Sequence, residues 1–130
     1  CYVTGYILGR DHVGGLVGGD NNGTTINNCY VDAIIVGSTQ VGGLVGVSSG
    51  DLTISNSYFA GEVRLGGTHA FAGGMIGLID AKGDLKISNT VSIGDVLGKG
   101  NNGAFIGGQN VADATVSVFA NNLNNYEANI

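Results

Sequence analysis

The hexapeptide VGGLVG stands at residues 13–18 and returns unchanged at 41–46, a spacing of 28 residues. Aligning the chain on it shows that whole segments recur, and a fixed period of this length is the signature of a repeat architecture. Unit one covers residues 1–28 and unit two 29–56; unit three, 57–89, and unit four, 90–120, are longer. Their extra residues fall near Gly66 to His69 and near Asp80 to Lys82, where turn-forming residues cluster. A stack of coils tolerates insertions at such places. Residues 121–130 read as a degenerate repeat, a cap or a frayed end.

Within the opening segment of each unit, alternate positions separate into two kinds. One set stacks Cys1, Cys29, Ser57 and Thr90, then Val3, Val31, Phe59 and Ser92, then Gly5, Ala33, Gly61 and Gly94, then Ile7, Ile35, Val63 and Val96. It is apolar or small, and it is assigned inward. The other set holds Tyr2, Tyr30, Tyr58 and Val91, followed by mixed columns that contain Asp32, Glu62 and Asp95; it is assigned to solvent. Period-two alternation in Val, Ile, Tyr and Phe specifies strand. Like residues at like positions are what parallel, in-register coils about 4.8 Å apart require. The expected fold is therefore all-β, a parallel β-solenoid of about four stacked coils, each with two or three short strands.

Two local features set expectations for the corners. Asn28, Asn56 and Asn89 follow the ends of strands marked by Ile26, Ile54, Ile87 and, in unit four, Val118. Asparagine tolerates the left-handed conformation that a bend needs. In the hexapeptide, the column Leu16, Leu44, Met75 and Phe105 lies next to Val17, Val45, Ile76 and Ile106. Adjacent residues of a regular strand cannot both face inward, so either the chain turns there, which is the preferred reading, or one column lies outside. The glycines around them mark close backbone approach. Cys1 and Cys29 share a slot with Ser57 and Thr90, which need no bridge, and parallel neighbours point the same way; two buried, unbonded thiols are expected.

Composition excludes several function classes. The chain has 130 residues, 25 of them Gly, no Pro and no Trp, with a net charge of -5. One domain with its own core fits that length. Without a Lys/Arg cluster the acidic chain has no footprint for nucleic acid or anionic membrane. Glycine breaks every apolar run short of the about 18 residues that a membrane span needs, and no signal peptide opens the chain. Because Cys1 already lies inside a repeat, the sequence is expected to come from a longer protein.

The combination of VGGLVG with INNCYV and ISNSYF resembles the GLUG motif, a glycine-rich repeat of bacterial surface proteins, over about residues 1–120, the fourth unit loosely. AGGMIG and NGAFIG in units three and four depart from the strict hexapeptide. The resemblance implies an extracellular module, secreted or attached to the cell surface, flanked by neighbouring domains and acting in adhesion or as a stalk. An alternative it implies is an accessory, substrate-engaging segment of a secreted immunoglobulin A-cleaving metalloprotease. It carries over no catalytic residue.

The residues themselves offer no catalytic set, no cofactor motif and no metal site, so the chain is read as a non-enzyme. His12 and His69 form no HExxH pair and no zinc spacing with cysteine. His12 aligns with Gln40 and Asn101 as a polar corner. The run GGDNNG at 18–23 lacks the GGxGxD order of calcium-binding repeats. Asp51 and Asp84 align one coil apart, which suits either a shared calcium ion or, more simply, aspartate opening a turn. Lys99 sits in no true phosphate loop, and Asn22 opens a glycosylation acceptor that has no meaning in a bacterium. Asp32, Glu62 and Asp95 are too scattered for a glycosidase pair. What remains is Tyr2, Tyr30 and Tyr58, an outward ladder at one-coil spacing. It reads either as a strip for a host glycan or glycoprotein or as cross-strand stacking that stabilises the coils.

Overall fold

A computed structural model describes residues 1–20, 23–67, 70–80, 84–98, 100–103, 106–109, 115–118 and 123–124. Asn22, His69, Ala81, Lys82, Lys99 and Phe105, the side chains of Asp84 and Val118, and most of 121–130 lie outside the described residues. The fold is an all-β parallel solenoid. Unit one supplies β1 (Tyr2–Leu8), β2 (Val13–Gly14), β3 (Val17–Asp20) and β4 (Thr24–Asn27). Unit two supplies β5 (Tyr30–Gly37), β6 (Gln40–Gly42), β7 (Val45–Ser48) and β8 (Leu52–Ser55).

In unit three the first strand is broken into β9 (Tyr58–Phe59) and β10 (Glu62–Leu65), followed by β11 (Phe71–Gly73), β12 (Ile76–Ile79) and β13 (Asp84–Ser88). Unit four follows with β14 (Val91–Ser92), β15 (Asp95–Gly98), β16 (Asn101–Gly103), β17 (Ile106–Gln109) and β18 (Thr115–Val118), and β19 (Leu123–Asn124) comes after it.

These strands make four parallel sheets, one per side of the coil. Sheet I contains β1, β5, β9, β10, β14, β15 and β19; sheets II, III and IV each hold four strands, one from each unit. Each coil thus has four sides, where the sequence suggested two or three strands. The additional strands are β6 with β7 and their equivalents, two to four residues long and glycine-rich, too short to show a period of their own. Register follows the repeat without slippage: Ile7 pairs with Ile35, Ile35 with Val63, and Val63 with Val96. At the far end, β19 continues sheet I, with Leu123 paired to Val91.

Burial follows the inward columns. Val31, Ile35, Phe59 and Val63 are fully buried, and Ala33 and Val96 nearly so. Ser57, Thr90 and Ser92 are also buried. The small polar column at the start of each unit has a specific use. Cys29 Sγ donates to the Asn27 carbonyl at 3.3 Å, and Ser57 Oγ donates to the Ser55 carbonyl at 2.7 Å. Ser57 Oγ also accepts the Cys29 amide at 3.2 Å. A short donor at this slot reaches back across the corner to the carbonyl two residues earlier, and at Ser55 that carbonyl also accepts the Asn28 amide of the neighbouring coil at 3.3 Å. The bend itself is left-handed, as expected: Asn28, Asn56 and Asn89 have φ of 56°, 49° and 49°. Asn27 Oδ1 ties two coils together by accepting from Ser55 Oγ at 3.0 Å and Asn56 Nδ2 at 3.1 Å.

The hexapeptide is a corner. The chain bends between β2 and β3 and between β6 and β7, so that Leu44 and Val45, adjacent in sequence, are both fully buried. Its glycines serve close approach, since none of them has a positive φ. A Cβ on Gly46 would lie 2.6 Å from the Gly18 carbonyl oxygen and 2.7 Å from the Val13 amide nitrogen. A Cβ on Gly43 would meet Phe59 Cγ at 2.5 Å across the core, and one on Gly94 would meet Phe59 Cε2 at 2.5 Å. Phe59, the largest fully buried side chain, thus occupies space left by glycines in the coils above and below it. An interior at crystal-like packing density leaves no other room.

The cysteines are both free, and only Cys29 is buried; Cys1 is exposed. The expectation of two buried thiols therefore fails for Cys1. It belongs to the first coil, which has a neighbour on one side only, whereas Cys29 is enclosed by coils one and three.

Candidate binding face

Sheet I carries the candidate residues because its outward side chains come from the even positions of β1, β5, β9 and their successors. The register places Tyr2 beside Tyr30 and Tyr30 beside Tyr58. The rings do not form a flat strip. Tyr30 and Tyr58 stack face to face, with centroids 4.7 Å apart and planes 23° apart. Tyr2 meets Tyr30 edge-on, at 6.2 Å and 70°. Exposure falls along the column, from 60% at Tyr2 to 39% at Tyr30 and to half-buried at Tyr58. A sugar ring or peptide bond that packs on an aromatic side chain needs a free π-face. The stack covers one face each of Tyr30 and Tyr58, so the most exposed ring of the ladder is Tyr2.

The same face gathers apolar groups that the sequence reading passed over. Tyr6 and Leu8 on β1, Leu97 on β15, and Ile93 between β14 and β15 are 60%, 70%, 49% and 54% exposed. Their signal was present in the outward columns but was diluted there by Asp32, Glu62 and Asp95. Glu62 is paired in register with Asp95, an unfavourable juxtaposition of like charges. Arg64 offsets it with a two-pronged contact, Nε to Glu62 Oε1 at 2.7 Å and Nη2 to Oε2 at 3.2 Å. The hydrogen bonds from Arg64, then its charge, hold the Glu62 carboxyl below the ordinary carboxylate range and raise Arg64 in turn. The pair is solvent-exposed, with side-chain exposures of 49% for Arg64 and 24% for Glu62.

The other sequence candidates do not converge on this face or on each other. Register puts Leu52 beside Leu85, so Asp51 and Asp84 do stand at equivalent points of successive coils on sheet IV. Among the described residues no three His, Cys, Asp or Glu side chains gather where they could hold a metal ion. His12 lies at an exposed corner with φ of 49°, at the register position of Gln40, Phe71 and Asn101. Phe71, the residue before AGGMIG, stands at that place in unit three, as the alignment on the hexapeptide puts it. No helix of the described residues is long and apolar enough to cross a membrane. No family model, no curated protein and no solved structure matches the chain.

Proposed function

We propose that the chain is a non-catalytic extracellular repeat module of a bacterial cell-surface protein, working as a stalk. The observation that carries this reading is the parallel register in which unit one meets unit two on all four sides of the coil. Each unit repeats one cross-section, so length is added one rung of about 4.8 Å at a time. The resemblance to GLUG repeats supports display outside the cell, alongside other domains of a longer protein. The tyrosine ladder serves the stalk through its own ring contacts, stacked between Tyr30 and Tyr58 and edge-on between Tyr2 and Tyr30.

The adhesive form of this reading would have Tyr2, Tyr30 and Tyr58 hold a host glycan or glycoprotein. The most exposed ring it could use is Tyr2, because Tyr30 and Tyr58 stack on each other. Retention of the parent and of Tyr2→Ser on a glycan array and on host-glycoprotein surfaces tests the choice. The stalk reading expects no retention of either chain. Retention of the parent that is lost in Tyr2→Ser, with melting temperature unchanged, overturns it in favour of adhesion. The protease-accessory alternative is decided by domain order: a zinc-protease domain encoded beside these repeats would replace the stalk reading.

A further inference from the structure

We infer that the outer face of sheet I docks an extended protein segment in which one Lys or Arg lies between apolar side chains, with the cation held at Asp32. The inference stands apart from the stalk reading and draws on coils two to four. Burial alternates along β5, so Tyr30, Asp32, Ile34 and Val36 all point away from the core. In coil three the strand is broken, but the ladder passes through the break without slipping. Tyr30 pairs with Tyr58 and Ile34 with Glu62, and the Ala60 amide donates to the Val31 carbonyl at 2.9 Å, which sets Ala60 opposite Asp32. The Ile93 amide donates to the Phe59 carbonyl at 3.0 Å, which sets Ile93 opposite Ala60 in turn.

Neighbours on such a face are about 4.8 Å apart across the strands and about 6.8 Å apart along one. Ala60, with a single methyl group, is therefore the floor of a notch. Tyr58 and Glu62 flank it along the chain, and Asp32 and Ile93 flank it across the coils. The field around the notch is apolar: Tyr30, Ile93 and Leu97 are 39%, 54% and 49% exposed, and Ile34 and Val36 are half-buried. A flat apolar field of this kind, rimmed by charges, is the mark of an interaction surface.

Charge selects the occupant. The face carries Asp32, Glu62 and Asp95 against Arg64, and Arg64 is engaged by Glu62. Asp32 has no ion pair or hydrogen bond among the described residues. A cation entering over Ala60 meets that carboxylate while its hydrocarbon stem lies against the Tyr30 and Tyr58 rings. An extended segment presents every second side chain on one side, at the spacing of β5 itself, so apolar, cation, apolar on that side matches Tyr30, Asp32, Ile34. A sugar fits less well, because in coils two to four the hydroxyls of Tyr30 and Tyr58 are the only neutral polar side-chain groups of these rows. A polyamine would pair with Asp32 but leave the apolar field wet. A second copy, face to face, would set three carboxylates against three with each arginine already engaged.

The test titrates the isotope-labelled full chain with the peptide acetyl-Leu-Ser-Lys-Ser-Leu-Ser-Lys-Ser-Leu-amide and follows amide chemical shifts by NMR. Changes are expected to centre on Tyr30, Asp32, Ala60 and Ile93. Asp32→Asn, at an exposed position, should weaken binding about fivefold at unchanged melting temperature. Asp32→Lys should lose this peptide and take the one with Glu in place of Lys. Absence of binding overturns the proposal, and so does equal affinity of parent and Asp32→Asn. Equal affinity for a peptide with Ser in place of every Leu also overturns it, because the attraction would then be to the acidic chain as a whole. Spermidine that moves the same amides at equal affinity would assign the notch to a polyamine, and self-association of the parent through these amides would assign the face to a second copy; either result overturns the proposal.

Discussion

Coils one and two contain the same hexapeptide, yet Leu44 and Val45 are fully buried while Leu16 and Val17 are only half-buried. The difference lies in what flanks them, because coil two is enclosed by coils one and three and coil one has a neighbour on a single side. In such a stack each unit's stability is its own contribution plus a term for each interface. A core residue therefore has no fixed value; its burial is set by the number of its neighbouring coils. The far end behaves differently again, since Val96 and Ile106 in the fourth coil are 9% and 4% exposed.

The sharpest way to break this comparison is to place a charge at the same inward slot in each coil. Ile35→Asp puts an unpaired carboxylate into a fully enclosed site and is expected to cost more than about 4 kcal/mol, enough to unfold a marginally stable domain. Ile7→Asp, at the open rim, is expected to leave a folded protein, because its carboxylate can reach water. Circular dichroism melts of the two variants decide the matter; equal losses would mean that the rim is as closed as the interior.

A second comparison uses the two thiols without altering the core. Under native conditions, iodoacetamide is expected to label exposed Cys1 at least about a hundredfold faster than Cys29, whose access requires local opening. Mass spectrometry of timed samples measures both rates in one experiment. Comparable rates would mean that coil two opens as readily as coil one.

Smaller effects are expected along the tyrosine ladder. Tyr30→Ser removes the middle ring, with its stacked and its edge-on partner, and should lower Tm by about 3 °C, equivalent to about 1 kcal/mol. Tyr2→Ser removes only the edge-on contact at the rim, and its effect should be about 1 °C. The reverse order would show that the edge-on contact matters more than the stack.

The smallest effect concerns Glu62 and Arg64 on the same face. A carboxyl held below its ordinary pKa contributes stability above that ordinary value, and the contribution is lost as pH falls through the lowered one. Arg64→Ala should thus lower Tm slightly at pH 7, and the gap to the parent should close in strong acid. The pair is exposed, so the gap should also narrow in high salt. A gap that persists at low pH would assign the loss to packing of the arginine stem rather than to charge.

The inward columns were legible in sequence because Ile7, Ile35, Val63 and Val96 combine alternation with strict recurrence, and a one-residue slip would turn all of them outward. The asparagine bends were legible for a related reason, since few residues other than glycine accept the left-handed conformation. The number of sides per coil was not, because β6 and β7 are too short to display a period. Nor was the exposure of Cys1, which depends on the absence of a neighbour rather than on any residue. The candidate face was half legible: the spacing of Tyr2, Tyr30 and Tyr58 foretold a column, but not that Tyr30 and Tyr58 would cover each other's faces.

Phe59 places a constraint on how such an array can change by recombination. Units one and two carry valine at that slot and are interchangeable there, whereas unit three must be followed by a unit with glycine at the position of Gly94, where a Cβ would come within 2.5 Å of the ring. A crossover joining unit three to a copy of unit two would put Ala33 in that place and force the ring and the alanine into the same volume. A crossover joining unit three to another unit three would bring Gly61 to that position, with no Cβ to meet the ring, but would set a second Phe59 in the buried place of Ser92. The order of units is thus inherited along with the units, and the gene can lengthen the array by some duplications but not by others.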